Sequence, residues 1–274
     1  MLEHILRRMG FGASPAELAA WAALPIEAVI DRLLNYESLS TDHDAKIGLP
    51  DYVGITTQSG QPFSPNTLIQ DARQRWLFRM IHSQRPLEEK MALFWHNHFA
   101  TAYSKINGTF GSVHATKMMA GRPDQVAGNM VGQYDKFRRF AVGNFRELLI
   151  EMARDPAMLV WLDGRESRAG APNENFAREL LELFTLGRGG GEHGGHGGAQ
   201  PYTERDVSEA ARALTGWVIA PAARAGQLVA RRHDPGVKTV LGTTGALGLD
   251  EVVAAATQHP ACAPHVVARL WRRL

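Results

Sequence analysis

The sequence predicts an all-α fold, a single domain of about ten helices over residues 1–274, with at most a short β-hairpin near residues 228–242. Two observations lead to this prediction. Helix-start signals recur along the chain, in which a capping residue or a proline precedes apolar residues spaced three or four apart. Runs of alternating polar and apolar residues are few, and no internal repeat occurs. With 274 residues and 45% hydrophobic content, the chain is long enough to bury a large core.

The first half of the chain shows these signals clearly. Ser14-Pro15-Ala16-Glu17 combines a capping serine, a first-turn proline and a glutamate three residues after the cap, which predicts a helix from Pro15 to about Ala23. The polar segment 38–62 predicts a loop. Ser64-Pro65 predicts the start of a long helix to about Met80, and Pro86 begins a helix that runs into the segment around His96.

The second half mixes helices with less regular chain. Residues 104–133 are rich in glycine and weakly periodic, which predicts an irregular excursion with one short helix. Asn173 predicts the cap of a helix from Glu174 to Leu186 with Gly187 as its stop. The run at 187–198, rich in glycine and histidine, predicts a flexible loop. Val229 and residues 237–241 are predicted strands of the hairpin.

Composition excludes several classes of protein. Thirty basic and 28 acidic residues give a formal net charge of +2, so no electrostatic footprint for nucleic acid is expected. Cys262 is the only cysteine, which excludes internal disulfides and cysteine-based zinc clusters. No segment has the length and apolarity of a membrane span or a secretory signal, so the cytoplasm is the default location. The apolar residues of the helix expected from Ala263 to Leu274 suggest a longer parent protein, whose export stays open.

The first candidate for chemistry is Trp95-His96-Asn97-His98-Phe99. His96 and His98 carry the imidazoles that zinc, iron, copper or nickel bind. Residues two apart on a helix point to nearly opposite sides, so both histidines bind one metal only where the helix unwinds. The alternative is one buried, hydrogen-bonded histidine and one that interacts with the helix end.

The second candidate is the helix that begins at Asn173. Glu174, Arg178 and Glu182 repeat every four residues, which is typical of a solvated ion-pair ladder. The same helix start offers free N–H groups to an anion or a polar ligand. Glu179 faces another direction and is predicted to reach a histidine.

The third candidate is the turn Arg232-His233-Asp234-Pro235-Gly236, followed by Lys238. A His-Asp pair also binds metal in helical HD-type phosphohydrolases, but there it lies within a helix, and here Pro-Gly follows at once. We reject that match and keep His233 as a loop imidazole. The letters Gly189-x-Gly191-x-x-Gly194 follow a helix in a low-complexity run and do not predict a dinucleotide site. The signatures of zincin proteases, Gly-x-Ser-x-Gly hydrolases and P-loop NTPases are missing from the sequence.

Taken in order, several segments resemble one family. These are Arg7-Arg8-Met9-Gly10-Phe11-Gly12, Phe94 to Phe99, Asp155 to Leu159, Asn173 to Leu180, Tyr202 to Val207, Leu214-Thr215-Gly216-Trp217, and His233-Asp234 through Lys238 to Gly242. The set resembles the bacterial DUF1800 family, a domain of unknown function. The resemblance implies a helical bacterial domain without an assigned activity, and members that continue beyond the position of Leu274. It also implies a possible partner, a sulfatase-like DUF1501 protein encoded nearby, and export signals in some members. The run at 187–198 departs from the family pattern.

Two hypotheses of function follow. The first is an enzyme, with hydrolysis ahead of redox chemistry, whose polar or metal-dependent site forms where the segments converge. Its expected catalytic residues are His96, His98, Glu174, Arg178 and Glu179. Its ligand-binding residues are Asn97, Asn173, Asn175 and Lys238, and a divalent transition metal would be held by His96, His98, His233 and Asp234. The second is a non-enzymatic binding or assembly module, in which the same residues form a buried polar network that presents a surface to a partner.

Overall fold

The computed structural model describes residues 1–47, 49, 55, 62–188, 200–220 and 225–274. In chain order the helices are α1 (Leu2–Arg8), α2 (Pro15–Ala22), α3 (Ile26–Leu34), α4 (Ile69–His82), α5 (Pro86–His98), α6 (Tyr103–Phe110), α7 (Ser112–Ala120), α8 (Gln133–Arg139), α9 (Phe145–Ala153), α10 (Pro156–Trp161), α11 (Glu174–Glu179), α12 (Glu204–Ala213), α13 (Leu249–Gln258) and α14 (Cys262–Arg273). A π-helix, π1 (Leu180–Leu186), follows α11 directly. The strands are β1 (Trp217–Ile219), β2 (Gly226–Leu228), β3 (Lys238–Val240) and β4 (Thr243–Gly245). The described chain is thus mainly helical, and the predicted fold class is confirmed.

The chain forms two compact units. The first unit comprises residues 1–97 and 112–143 with Leu274, and the second comprises residues 98–111 and 144–273. In the first unit, α7 packs against α4 and α8. In the second, α12 packs against both α11 and β3, and α13 packs against α9 and π1.

Side-chain caps begin several helices, and the cap predicted at Ser14 is among them. Ser14 and Thr203 form capping boxes with Glu17 and Asp206, and the side chain of Asn144 accepts the N–H of Glu147. The carboxylate of Asp155 caps α10 in the same way. Local side-chain chemistry therefore determines where these helices begin.

Two helix predictions in the first half of the chain are wrong in detail. Helix α4 begins at Ile69 rather than at Ser64, because the Asp71 carboxylate accepts the Ser64 N–H at 2.7 Å and holds the preceding residues in a turn. Residues 104–133 contain α6 and α7 rather than one short helix. Ala115, Met118 and Met119 supply α7 with a buried face that the glycines obscured.

Two further predictions fail in the second half. The helix from Asn173 does not continue to Leu186 as an α-helix, because it widens into π1, where the Thr185 hydroxyl donates to the carbonyl of Leu180 five residues earlier at 2.7 Å. Two antiparallel hairpins form where one was predicted, β1 with β2 and β3 with β4. The first begins at Trp217, directly after the left-handed Gly216, which turns the chain out of α12. The predicted loop at 187–198 lies outside the described residues from position 189 onwards.

Candidate functional site

His98 binds a backbone carbonyl in the second unit. Its side chain is buried, and its Nε2 atom lies 3.0 Å from the carbonyl oxygen of Phe184 in π1. Because a carbonyl only accepts, Nε2 carries the proton and donates it. Burial lowers the pKa of His98 to about 3, so its imidazole is neutral at pH 7. The bond satisfies a carbonyl that the widened helix leaves free.

His96 lies in the first unit, in aromatic surroundings. Its ring meets the rings of Trp76 and Tyr134 edge-on, at centroid distances of 5.3 and 5.4 Å. Burial lowers its pKa. Within the described residues no group hydrogen-bonds to its buried Nδ1 atom. His96 and His98 therefore enter different surroundings, as the two-residue spacing on α5 predicts, and neighbouring Asn97 is exposed.

The segment Asn173-Glu174-Asn175 ties the start of α11 to the end of α10. The side-chain oxygen of Asn173 accepts the N–H of Asn175 at 2.9 Å, which caps α11. Its amide nitrogen donates to the Asp163 carbonyl at 3.2 Å, and the amide nitrogen of Asn175 lies 3.4 Å from the Leu162 carbonyl. Both asparagines thus satisfy backbone groups at a helix junction.

The charged residues of α11 lie at its surface and its edge. Arg178 donates to both carboxylate oxygens of Glu204 on α12, at 2.8 and 2.7 Å, and lies 3.4 Å from Glu174. Glu179 is half-buried, and burial together with the nearby Glu182 carboxylate raises its pKa. Of the predicted ladder, the Glu174–Arg178 pair forms, and Arg178 extends it from α11 to α12. Glu182 is buried instead, and its carboxylate accepts hydrogen bonds from Arg188 and Tyr202.

Asp234 and Lys238 hold the turn that leads into β3. The Asp234 carboxylate accepts two hydrogen bonds from Arg212, at 2.8 and 3.3 Å, and one from the Gly236 N–H at 2.8 Å. The Lys238 ammonium is buried and donates to the carbonyls of Asp234, Gly236 and Leu247, at 2.5, 2.9 and 3.0 Å. Both side chains therefore carry structural hydrogen bonds, and their predicted ligand roles stay predictions.

His233, unlike these neighbours, keeps one ring nitrogen available. Its Nδ1 atom lies 3.1 Å from the carbonyl oxygen of Thr215, so Nδ1 carries the proton and Nε2 carries the lone pair. No hydrogen bond joins Nε2 to another described residue. A histidine fixed at one nitrogen and open at the other is the arrangement of a general base or a metal ligand.

A cleft of about 240 Å³ in the second unit contains His233 in its wall. Its apolar walls include Trp217 and Leu228, and its charged members are Arg154, Asp250 and Glu251. The guanidinium of Arg154 lies over the Trp217 ring, 5.4 Å from its centroid, and its Nη2 atom donates to Asp250 at 2.7 Å. A mostly apolar pocket with a few converging polar groups is typical of a small-molecule site.

Two glycines shape this cleft. A Cβ atom on Gly226 would lie 2.1 Å from the carbonyl oxygen of Arg154, so β2 approaches the end of α9 more closely than any side chain permits. Gly216 has a positive φ of 93°, and a Cβ there would lie 2.9 Å from the nitrogen of His233. The backbone at these two positions therefore sets the places of Arg154 and His233.

Among the predicted site residues, the cleft contains His233 alone. Sequence reasoning missed Arg154, Trp217 and the two carboxylates at the start of α13. The signal that was present is Gly216-Trp217, a glycine that turns the chain followed by an aromatic residue, in a segment that was quoted only for its family resemblance. Nothing in the local pattern around Arg154 distinguishes it from other arginines at helix ends.

Side chains that bind metals do not form a cluster among the residues that the structure describes. No three His, Cys, Asp or Glu side chains in the described ranges are grouped so that they could hold an ion. Of the four predicted ligands, His96 belongs to the first unit, and His98, His233 and Asp234 to the second. The helices of the described chain include none with the length and apolarity that crossing a membrane requires.

Comparison with known proteins agrees with the resemblance read from the sequence. The family model described as "Protein of unknown function (DUF1800)" matches residues 4–274. Searches of curated proteins and of solved structures gave no match. Because the family model covers nearly all of the sequence, the chain belongs to the DUF1800 family.

Proposed function

We propose that the second unit is a hydrolase that binds a small, mostly apolar compound in the cleft, with His233 as its acid–base group. The observation that carries this proposal is the bond from His233 Nδ1 to the Thr215 carbonyl, which leaves Nε2 as the basic nitrogen of a residue in the cleft wall. Of the polar or metal-dependent site expected from the sequence, we thus propose the polar form, centred on His233.

The chemistry follows from the residues of the cleft. A substrate with a carboxylic ester would place its apolar part against Trp217 and Leu228. His233 Nε2 would accept a proton from water while the water oxygen bonds to the carbonyl carbon. The guanidinium of Arg154 would stabilise the oxyanion that forms. His233 would then return the proton to the alkoxide that leaves, which yields an acid and an alcohol.

Arg154 is available for this role because its existing ion pair is weak. The side chains of Arg154 and Asp250 are 37% and 54% exposed, and a pair this exposed contributes at most about 1 kcal/mol. A developing negative charge in the cleft would therefore compete well with the Asp250 carboxylate for the guanidinium. Asp250 and Glu251 disfavour substrates that are already strongly anionic.

A second candidate is the binding or assembly module, and one observation favours it. His98, Asn173, Asn175, Asp234 and Lys238 all form hydrogen bonds that hold helix ends and turns in place. Such a network fixes how elements pack without any reaction. The proposed partner in this case is the sulfatase-like DUF1501 protein.

The two candidates are separated by filling the cleft. Leu228 lines the cleft and is 46% exposed, so Leu228→Trp should block the cleft without disturbing the core. The matched control is Val267→Trp on α14, where the side chain is 58% exposed and outside the cleft. Both variants and the wild type are assayed with p-nitrophenyl acetate, butyrate and benzoate, and by thermal shift with Zn²⁺, Mn²⁺ and Ni²⁺.

The enzyme proposal expects ester hydrolysis that Leu228→Trp lowers at least tenfold and that Val267→Trp retains. Equal hydrolysis by the two variants contradicts it. The module proposal expects no turnover and no rise in Tm with any ester product or metal. It also expects co-purification with the DUF1501 protein that Leu228→Trp leaves intact.

A further inference from the structure

Three histidines of the second unit donate to backbone carbonyls, but through different nitrogens. His98 and His265 use Nε2, which lies 3.0 Å from the carbonyls of Phe184 and Leu183 respectively. His233 uses Nδ1, which lies 3.1 Å from the carbonyl of Thr215. The structure thus fixes the opposite tautomer at His233.

We infer that Thr215 is the positioning residue that holds His233 in its Nδ1–H tautomer and so makes Nε2 the basic atom. The inference rests on the proposed function for its catalytic meaning, although the tautomer itself is measurable without any substrate. Thr215 does not line the cleft; it acts through the imidazole that does.

Thr215 is suited to this task because both its backbone and its side chain contribute. Its hydroxyl donates to the carbonyl of Arg212 at 2.7 Å and accepts the N–H of Asp234 at 2.8 Å. These two bonds fasten the His233–Asp234 turn to the end of α12. The side chain is fully buried, so water does not replace the hydroxyl.

The residues around His233 restrict the position of its imidazole and the hydrogen bonds that its Nδ1 atom can form. Gly216 lets the His233 backbone approach to a distance that a Cβ would forbid. Asp234, the carboxylate adjacent in sequence, is taken by the Arg212 guanidinium and does not compete for Nδ1. Thr215 therefore supplies the acceptors for the proton on Nδ1, its carbonyl at 3.1 Å and its hydroxyl at 3.5 Å.

The test is a long-range ¹H–¹⁵N correlation spectrum of the full chain labelled with ¹⁵N-histidine, recorded at pH 8. The His233 and His265 signals are assigned from their loss in His233→Gln and His265→Gln. We expect the Nδ1–H pattern at His233 and the Nε2–H pattern at His265, which serves as the internal control. An Nε2–H pattern at His233, or averaging of its two tautomers, overturns the inference.

Variants at Thr215 separate positioning from folding. Thr215→Val should shift His233 toward averaged tautomers, and Thr215→Ser should keep the Nδ1–H pattern because the hydroxyl is retained. With an ester substrate, Thr215→Val should lower kcat by about 10- to 100-fold with little change in KM, as loss of a residue that orients a functional imidazole does. If Thr215→Val does not fold, the wild-type and serine spectra still decide the outcome. An Nδ1–H pattern in a protein whose His233→Gln variant loses no activity keeps the positioning role and rejects the proposed function.

Discussion

At the residue scale, buried charges depend on complete sets of partners, and Glu89 of the first unit shows this most clearly. Its carboxylate is fully buried and accepts hydrogen bonds from Trp76 at 2.9 Å, from Arg79 at 2.8 Å and from Arg138 at 2.9 and 3.0 Å. Burial alone would raise the pKa of Glu89, but the two guanidinium groups outweigh it and lower that pKa. The carboxylate therefore stays ionised within the core.

We expect Glu89→Gln to lower the free energy of unfolding by about 3–5 kcal/mol, because it removes the buried counter-charge of Arg79 and leaves Arg138 with Asp135 alone. Urea denaturation followed by circular dichroism measures the loss. The control is Glu3→Gln, whose ion pair with Arg7 is 63–65% exposed and contributes less than about 1 kcal/mol. A loss at Glu89 as small as that at Glu3 contradicts this view of the cluster.

At the level of single residues, the sequence pointed to a side chain that can take part in chemistry but not to the residues that lie beside it in the folded protein. His233 was identified as an imidazole in a loop, and it does line a cleft. Arg154 joins it only because Gly226, 72 positions along the chain, lets β2 approach the end of α9. Contacts of this kind depend on how distant segments pack, which spacing along one segment does not encode.

At the element scale, the closeness of β2 to α9 is a feature that mutation can test. Gly226→Ala places a methyl group where the Arg154 carbonyl already lies. We therefore expect the free energy of unfolding to fall by about 1–3 kcal/mol and a ligand to bind more weakly in the cleft. The control is Gly108→Ala in the exposed last turns of α6, where the added Cβ meets no atom within 4 Å. This variant should raise the free energy of unfolding by about 0.5–1 kcal/mol. Thermal unfolding of the two variants gives the comparison. An equal change in Tm for the two variants would show that β2 moves away from α9 without loss of stability.

Helix starts with a side-chain cap were predictable, whereas the uncapped start of α4 and the continuation of α11 were not. The caps at Ser14 and Asn173 are local and appear as expected. The change from α11 to π1 is not local, because donors from other parts of the second unit, such as His98 and His265, satisfy the carbonyls of the widened helix. A sequence window over 174–186 contains none of those donors.

At the scale of the whole molecule, each unit contains a buried histidine that folding keeps neutral. Burial lowers the pKa of His43 to about 4 in the first unit and that of His98 to about 3 in the second. In the unfolded chain both would titrate near 6.5. As pH falls below that value the unfolded state takes up protons that the folded state does not, so stability decreases.

We therefore expect the free energy of unfolding to be flat between pH 8 and 7 and to fall from about pH 6.5 to pH 5. The slope should approach about 1.4 kcal/mol per pH unit for each histidine. Urea titrations at intervals of half a pH unit measure it, and the range stops at pH 5 because ordinary carboxylates begin to titrate below that value. His98→Gln should flatten the part of the slope that belongs to the second unit. A stability that stays constant down to pH 5 contradicts the burial of these imidazoles.

The proposed role of His233 as the acid–base group of a hydrolytic cleft is tested most directly by kcat/KM for ester hydrolysis, measured for His233→Gln and the wild type. The matched control is His4→Gln, which removes an exposed imidazole of the first unit. We expect kcat/KM to fall at least about 100-fold in His233→Gln and to stay unchanged in His4→Gln. A His233→Gln variant that is folded and hydrolyses the best ester as fast as the wild type would contradict it.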